Sequence, residues 1–73
     1  MHHYYFQVKV NYQSFVKHYS GAASSMIVLS DQGLRLQIPA AKFRPFLSQL
    51  GIQGRFRLTI GANNKFSSLE KIA

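Results

Sequence analysis

The chain has 73 residues, 47% of them hydrophobic and 14% aromatic, which supports one small folded domain over residues 1–73 and leaves no room for a second. The chain contains nine Lys and Arg residues but only two Asp and Glu residues, so its formal net charge is +7. It contains no cysteine. These counts exclude disulfide scaffolds, thiolate zinc sites, iron–sulfur clusters and cysteine nucleophiles.

The first predicted element is a β-strand near the N-terminus. Apolar side chains occupy every second position of a nine-residue stretch: Tyr4, Phe6, Val8, Val10 and Tyr12. This period-two pattern is typical of a strand with one face in the core. Tyr5, Gln7 and Lys9 would then share the polar face of the strand.

A short amphipathic helix is predicted to follow this strand. Its apolar residues recur at helical spacing: Tyr12, Phe15, Val16 and Tyr19. Asn11 precedes them, and its side-chain oxygen can accept a hydrogen bond from the first turn of a helix. We therefore expect Asn11 to be the N-cap.

Residues 24–39 are predicted to form a β-hairpin around the turn Ser30-Asp31-Gln32-Gly33. The second arm alternates, with Arg35 and Gln37 on its polar face. The first arm contains the unbroken apolar run Met26, Ile27, Val28 and Leu29. Such a run is typical of a strand covered on both faces, so we expect it to be central in a sheet or in contact with another subunit.

A second short helix and a last hairpin complete the chain. Helical spacing with a kink at Pro45 is indicated by Phe43, Phe46, Leu47 and Leu50. Arg55, Arg57 and Thr59 then alternate with apolar residues, residues 61–64 can form a left-handed turn, and the final strand is expected to bulge near Ser67 and Ser68. The predicted fold is α+β in the order β-α-β-β-α-β-β. It consists of a small curled or barrel-like antiparallel sheet of about five strands with two short helices.

Several segments resemble a known family. They are Tyr4-Tyr5-Phe6, Leu34-Arg35-Leu36-Gln37-Ile38-Pro39-Ala40, Arg44-Pro45-Phe46 and Gly54-Arg55-Phe56-Arg57-Leu58. On these segments the chain resembles a family of short proteobacterial proteins described as domain of unknown function 2835. The resemblance covers nearly the whole chain and implies a bacterial, cytoplasmic protein. It implies no activity and no site residues.

Strand parity predicts a basic sheet face with one aromatic residue. Its members are Tyr5, Lys9, Arg35, Arg55 and Arg57. Cations on such a face can neutralise phosphates while an aromatic ring stacks on a base, so we expect contact with nucleic acid or another polyanion. Four neutralised phosphates would give a slope of roughly −3 to −4 in log K against log salt. A solvated polar face is the alternative interpretation of the same residues.

The main alternative function is a protein-interaction or homodimerising module without nucleic-acid binding. Its surface would be the apolar run Met26, Ile27, Val28 and Leu29. An enzyme is not expected, because the sequence has no acid pair, no metal-ligand cluster and no nucleophile motif. We expect His2 and His3 to be solvated at the terminus, and we expect no metal and no cofactor.

The sequence also predicts a cytoplasmic location. The apolar run at residues 26–29 is far shorter than the roughly 20 residues that cross a bilayer. Residues 1–6 lack the apolar stretch of a secretory signal. We therefore expect no membrane association.

Overall fold

The computed structural model describes residues 2–19, 21 and 24–73. The elements in chain order are β1 (His2–Val10), α1 (Tyr12–Tyr19), β2 (Ser25–Leu29), β3 (Arg35–Pro39), a 3₁₀ helix (Ala40–Phe46), β4 (Ile52–Ile60), a 3₁₀ turn (Ala62–Asn64) and β5 (Phe66–Lys71). This order confirms the predicted α+β fold. No helix among these residues has the length and apolar character needed to cross a membrane.

The strands form two antiparallel sheets. β4 lies between β1 and β5 in a three-stranded sheet, and β2 pairs with β3 in a two-stranded sheet. A single bridge between Phe6 and Ser30 joins the sheets, and the Asp31 backbone N–H donates to the Tyr5 carbonyl at 2.8 Å beside it. Because β1 and β2 share no further ladder pairs in the described residues, the arrangement is curled but does not close into a barrel.

The core lies between the inner faces of the two sheets and is centred on Phe56 of β4. The Phe56 ring stacks on Phe6 with centroids 5.9 Å apart. It also meets the rings of Phe43 and Phe46 edge-on at 5.6 and 5.3 Å. Buried apolar residues of the cluster are Phe6, Val8, Phe15, Met26, Val28, Ile38, Ala40, Phe43, Ile52, Phe56 and Leu58. Phe6 and Val8 of β1 are buried, which confirms the prediction that this set of alternate residues faces the core.

Several local predictions agree with the structure. The Asn11 side chain caps α1, because its Oδ1 accepts a hydrogen bond from the Ser14 N–H at 2.7 Å. Gly33 has φ +85° in the first hairpin turn, and Asn63 has φ 61° in the second. Thr59 and Ile60 are consecutive residues of β4, but their partners on β5, Ser68 and Phe66, are two positions apart. This shift in register is the predicted bulge.

The second helix differs from its prediction in type and position. It is a 3₁₀ helix that ends at Phe46, and Leu47 is already extended with φ −71° and ψ 127°. Pro45 has no N–H to donate, and 3₁₀ geometry is favoured in such short segments. Leu50 therefore lies outside the helix, in a tight turn where Ser48 and Gly51 exchange backbone hydrogen bonds of 3.0 and 2.9 Å.

Candidate nucleic-acid interface

The side of the three-stranded sheet that points away from the core is here named the outer face. On β1 and β4 it carries His3, Tyr5, Gln7, Lys9, Gln53, Arg55, Arg57 and Thr59. These residues alternate with the core residues of the same strands, and all of them except the buried Thr59 are exposed or half-buried. The antiparallel register sets Tyr5 opposite Arg57 and Gln7 opposite Arg55. The outer face is therefore polar, with an aromatic ring beside cations on the neighbouring strand.

Four of the five residues predicted for the basic face lie on the outer face: Tyr5, Lys9, Arg55 and Arg57. Arg35 does not. It lies on β3, opposite Leu29 in the separate two-stranded sheet. The expectation of one shared face is wrong for Arg35 because β3 pairs only with β2 and does not extend the larger sheet.

Arg55 is held by a carboxylate from the first hairpin turn. Its Nη1 and Nη2 donate to Asp31 Oδ1 and Oδ2 at 3.3 and 2.5 Å. This hydrogen-bonded pairing raises the pKa of Arg55 above its ordinary value. The Asp31 backbone N–H is itself bonded to Tyr5, so the turn that supplies this carboxylate is docked against β1.

Arg57 is held by a carboxylate from the opposite side of the face. Its Nη2 donates to Glu70 Oε1 at 2.8 Å, and the register of β4 and β5 places these two residues opposite each other. Hydrogen bonding to Glu70, and secondarily to Tyr5, raises the pKa of Arg57. Its Nε is buried without a hydrogen-bond partner. The Arg57 side chain is thus fixed beside the Tyr5 ring.

Both carboxylates of the chain are engaged on this one face. Asp31 and Glu70 are the only acidic residues in the sequence, and each forms an ion pair with an outer-face arginine. Lys9 forms no ion pair with any described residue. Composition alone indicated that few cations could be paired. It did not indicate that Arg55 and Arg57, two of the four cations predicted to contact phosphate, are the residues that form ion pairs.

A depression at one end of the sheet is lined in part by Lys71, a cation outside the predicted basic face. The volume of the depression is about 470 Å³, and its lining residues are Gln7, Val8, Lys9, Gln53, Gly54, Lys71 and Ala73. Gly54 lies opposite Val8 with φ +142°, and a Cβ there would be 2.6 Å from Lys71 Cε. A glycine inside a strand can mark the close approach of another group, and that was the available signal.

The predicted interaction strand is covered on one face. Met26 and Val28 point into the core, whereas Ile27 and Leu29 are 59% and 63% exposed. β2 is not central, since it pairs fully with β3 alone. The unbroken apolar run therefore leaves Ile27 and Leu29 as an outward apolar pair on this part of the chain.

The histidines lie apart from any metal-ligand set. His3 Nδ1 is 2.9 Å from Thr59 Oγ1 on the outer face. The His2 ring lies 6.5 Å from Tyr4, and the His18 ring lies 6.4 Å from Tyr19. Across residues 2–19, 21 and 24–73, no three His, Asp or Glu side chains are grouped so that they could hold a metal ion.

Comparison with known proteins places the chain in a family. No curated protein matches it, and no solved structure does. A family model described as "Protein of unknown function (DUF2835)" matches residues 2–72, essentially the whole chain, in agreement with the resemblance seen in the sequence. The chain therefore belongs to this family of proteins of unknown function.

Proposed function

We propose that the protein is a small non-enzymatic binding module that contacts single-stranded nucleic acid, or a similar polyanion, through the outer face. The observation that supports this most directly is the position of Tyr5. Tyr5 is 37% exposed at mid-strand and lies opposite Arg57. Lys9 follows on the same strand and Arg55 on the next, so a stacking surface and phosphate-binding groups share one face.

The ion pairs leave the arginines able to bind phosphate. A guanidinium has five N–H donors. Arg55 uses two donor nitrogens on Asp31, and donors remain on both arginines after their carboxylate contacts. A carboxylate that fixes a guanidinium also reduces the entropy lost when that group binds a further oxygen. The same carboxylate lowers the local positive charge, so we expect Arg55 and Arg57 to orient a strand more than they attract it.

Net charge supports the same proposal. With both acids engaged by Arg55 and Arg57, the formal charge of +7 comes from the other seven cations. Such an excess attracts polyanions at long range.

We also propose a bacterial cytoplasmic location, where single-stranded RNA is available. Cell fractionation with an antibody against the protein tests this location.

Binding of a fluorescent dT₁₀ strand, followed by anisotropy, tests the face. Lys9→Gln should weaken binding about fivefold at 0.1 M salt, because each phosphate neutralised on a single strand contributes about −0.7 to the salt slope. Tyr5→Leu should cost roughly 1–3 kcal/mol if the ring stacks on a base. Lys17→Gln, on α1, removes the same charge away from the outer face. Equal losses from Lys9→Gln and Lys17→Gln would show that binding has no defined face.

A second candidate is a protein-interaction or homodimerising module, favoured by the exposed pair Ile27 and Leu29 on β2. Light scattering at about 100 μM tests the homodimer, because interfaces of standard size hold well below that concentration. A dimer that Ile27→Ser dissociates would support this candidate. A monomer would remove its homodimeric form.

A further inference from the structure

We propose that His3 is a further contact residue for nucleic acid and that it binds a backbone phosphate as an imidazolium. The outer face then gains a cation, and affinity for a strand, as the pH falls from 8 to 5.5. The inference rests on the proposed function, because the ligand is the strand whose base stacks on Tyr5. It adds a contact residue and a dependence on pH to that function.

His3 lies at the end of the outer face that is remote from Lys9. It precedes Tyr5 by two residues, about 7 Å along β1, whereas Lys9 follows Tyr5 by four residues, about 13 Å. Beside His3 the face continues with Thr59 on β4 and Ser68 on β5. A nucleic-acid strand that runs along β1 with a base on Tyr5 therefore passes Lys9 at one end and His3 at the other. Of His3, Thr59 and Ser68, only His3 can carry a positive charge.

The His3 ring is held in a way that suits both of its protonation states. Its Nδ1 lies 2.9 Å from Thr59 Oγ1, and Thr59 is 6% exposed although it lies on the outer face. A hydroxyl can donate to Nδ1 of the neutral ring or accept from Nδ1–H of the imidazolium. Nε2 has no hydrogen-bond partner among the described residues. In the imidazolium Nε2 carries an N–H, so a charged donor is left for a phosphate oxygen.

The groups around His3 provide no counter-ion for an imidazolium. The nearest titratable or charged residues on this face are Tyr5 on β1, Arg57 on β4 and Glu70 on β5. Arg57 Nη2 donates to Glu70 Oε1 at 2.8 Å, so this ion pair adds little net charge near the ring. Asp31 is bound to Arg55. Because both carboxylates are engaged by arginines, a bound phosphate would be the counter-ion of His3.

His2 provides a matched control for His3. The alternation of β1 places His2 on the same side as Tyr4, and the two rings lie 6.5 Å apart. Both histidines are exposed, and a histidine side chain ordinarily gains its proton between pH 8 and 5. The two residues therefore carry the same charge at adjacent positions, but only His3 lies on the outer face.

The test is the affinity for labelled dT₁₀ at pH 8 and at pH 5.5, measured by anisotropy at 0.1 M salt. Thymine and the phosphodiester keep their charge over this range. One added phosphate contact steepens the salt slope by about 0.7, which is about fivefold in affinity at 0.1 M salt. We expect the native protein to bind about fourfold more tightly at pH 5.5. His3→Gln should bind within twofold of the native protein at pH 8 and gain less than 1.5-fold at pH 5.5, whereas His2→Gln should keep the fourfold gain.

His3→Lys gives a second measurement that does not depend on loss of binding. A permanent cation at position 3 should raise the affinity at pH 8 about fivefold and leave it nearly independent of pH, whereas His2→Lys should change it less than twofold. Urea unfolding at both pH values shows which variants are folded. Equal effects at positions 2 and 3, or an equal loss for His3→Gln at both pH values, would overturn the assignment of His3.

Tyr5→Leu separates this inference from the proposed function. Weaker binding by Tyr5→Leu at both pH values, with a native affinity that is the same at pH 5.5 and 8, would overturn the role of His3 and retain the proposed function. Absence of dT₁₀ binding at either pH would overturn both.

Discussion

Removing both carboxylates should strengthen the binding of single-stranded nucleic acid. Asp31→Asn and Glu70→Gln are close in size to the native residues and leave Arg55 and Arg57 on the outer face without a counter-charge. Each ion pair is half-exposed, and exposed pairs contribute little to folding. The double variant should therefore fold, with two additional cations available to phosphates.

The size of the effect follows from the number of uncompensated cations on the binding surface. On the described outer face of the native protein this is Lys9, which at about −0.7 per phosphate gives a slope of about −0.7 in log K against log salt. Releasing Arg55 and Arg57 should bring the slope to about −2.1. Lowering the salt from 0.2 to 0.05 M should then strengthen binding about threefold for the native protein and about 18-fold for the variant. At 0.1 M salt the variant should bind about 25-fold more tightly.

The assay is anisotropy of labelled dT₁₀ over a salt series, with unfolding by urea measured in parallel. Gln13→Lys with Ala41→Lys is the matched control, because it also raises the net charge by two but places the charges on α1 and the 3₁₀ helix. This control should steepen the slope much less. An unchanged slope in the double carboxylate variant, or an equal change in the control, would refute the assignment of Arg55 and Arg57 to the binding surface.

Three further predictions concern the core, a glycine and pH. Phe56→Ala should lower the free energy of unfolding by about 3–5 kcal/mol, because it empties the centre of the aromatic cluster, whereas Phe56→Leu should cost less than half as much in urea denaturation. Gly54→Ala should destabilise more than Gly33→Ala, since both have positive φ but of the two only position 54 has atoms within 4 Å of the added Cβ; equal losses would show that the contacts with the Ala73 oxygen and Lys71 are unimportant. The raised pKa of Arg55 and Arg57 favours their charged forms, and any stability that they provide is lost only above the ordinary arginine pKa. Affinity for dT₁₀ should consequently change less than twofold between pH 7.5 and 9, and a steep loss would assign the binding to other groups.

Local patterns predicted most of the fold because each depends on neighbouring residues. The alternation in β1, the Asn11 cap and the asparagines of the last turn are set within a few positions of the chain. The pattern predicts a longer kinked helix where the structure has a 3₁₀ helix, because the helical spacing of Phe43 and Phe46 continues to Leu50 whereas Pro45 ends the hydrogen bonding earlier.

The candidate site was harder to predict because it depends on strand order and register. Alternation places Arg35 on a polar face but does not determine which sheet carries that face, so the prediction of one basic face includes Arg35 although it lies in the other sheet. The contact of Arg55 with Asp31 joins residues 24 positions apart, and the reach of Lys71 over Gly54 depends on the β4–β5 pairing. Neither contact leaves a local pattern in the sequence.

The placement of the two acids has consequences for both folding and binding. Arg55 and Arg57 are two residues apart on β4, and Lys9 lies on the adjacent strand, so without counter-charges these cations would repel across the sheet. Asp31 and Glu70 reduce that repulsion from opposite sides while holding the guanidinium groups beside Tyr5. Removing them should therefore make the fold slightly less stable as it makes binding stronger. A variant that lost stability without gaining affinity would mean that the two acids serve the sheet alone. A gain in affinity would mean that the two acids weaken nucleic-acid binding by the native face while they hold its arginines in place.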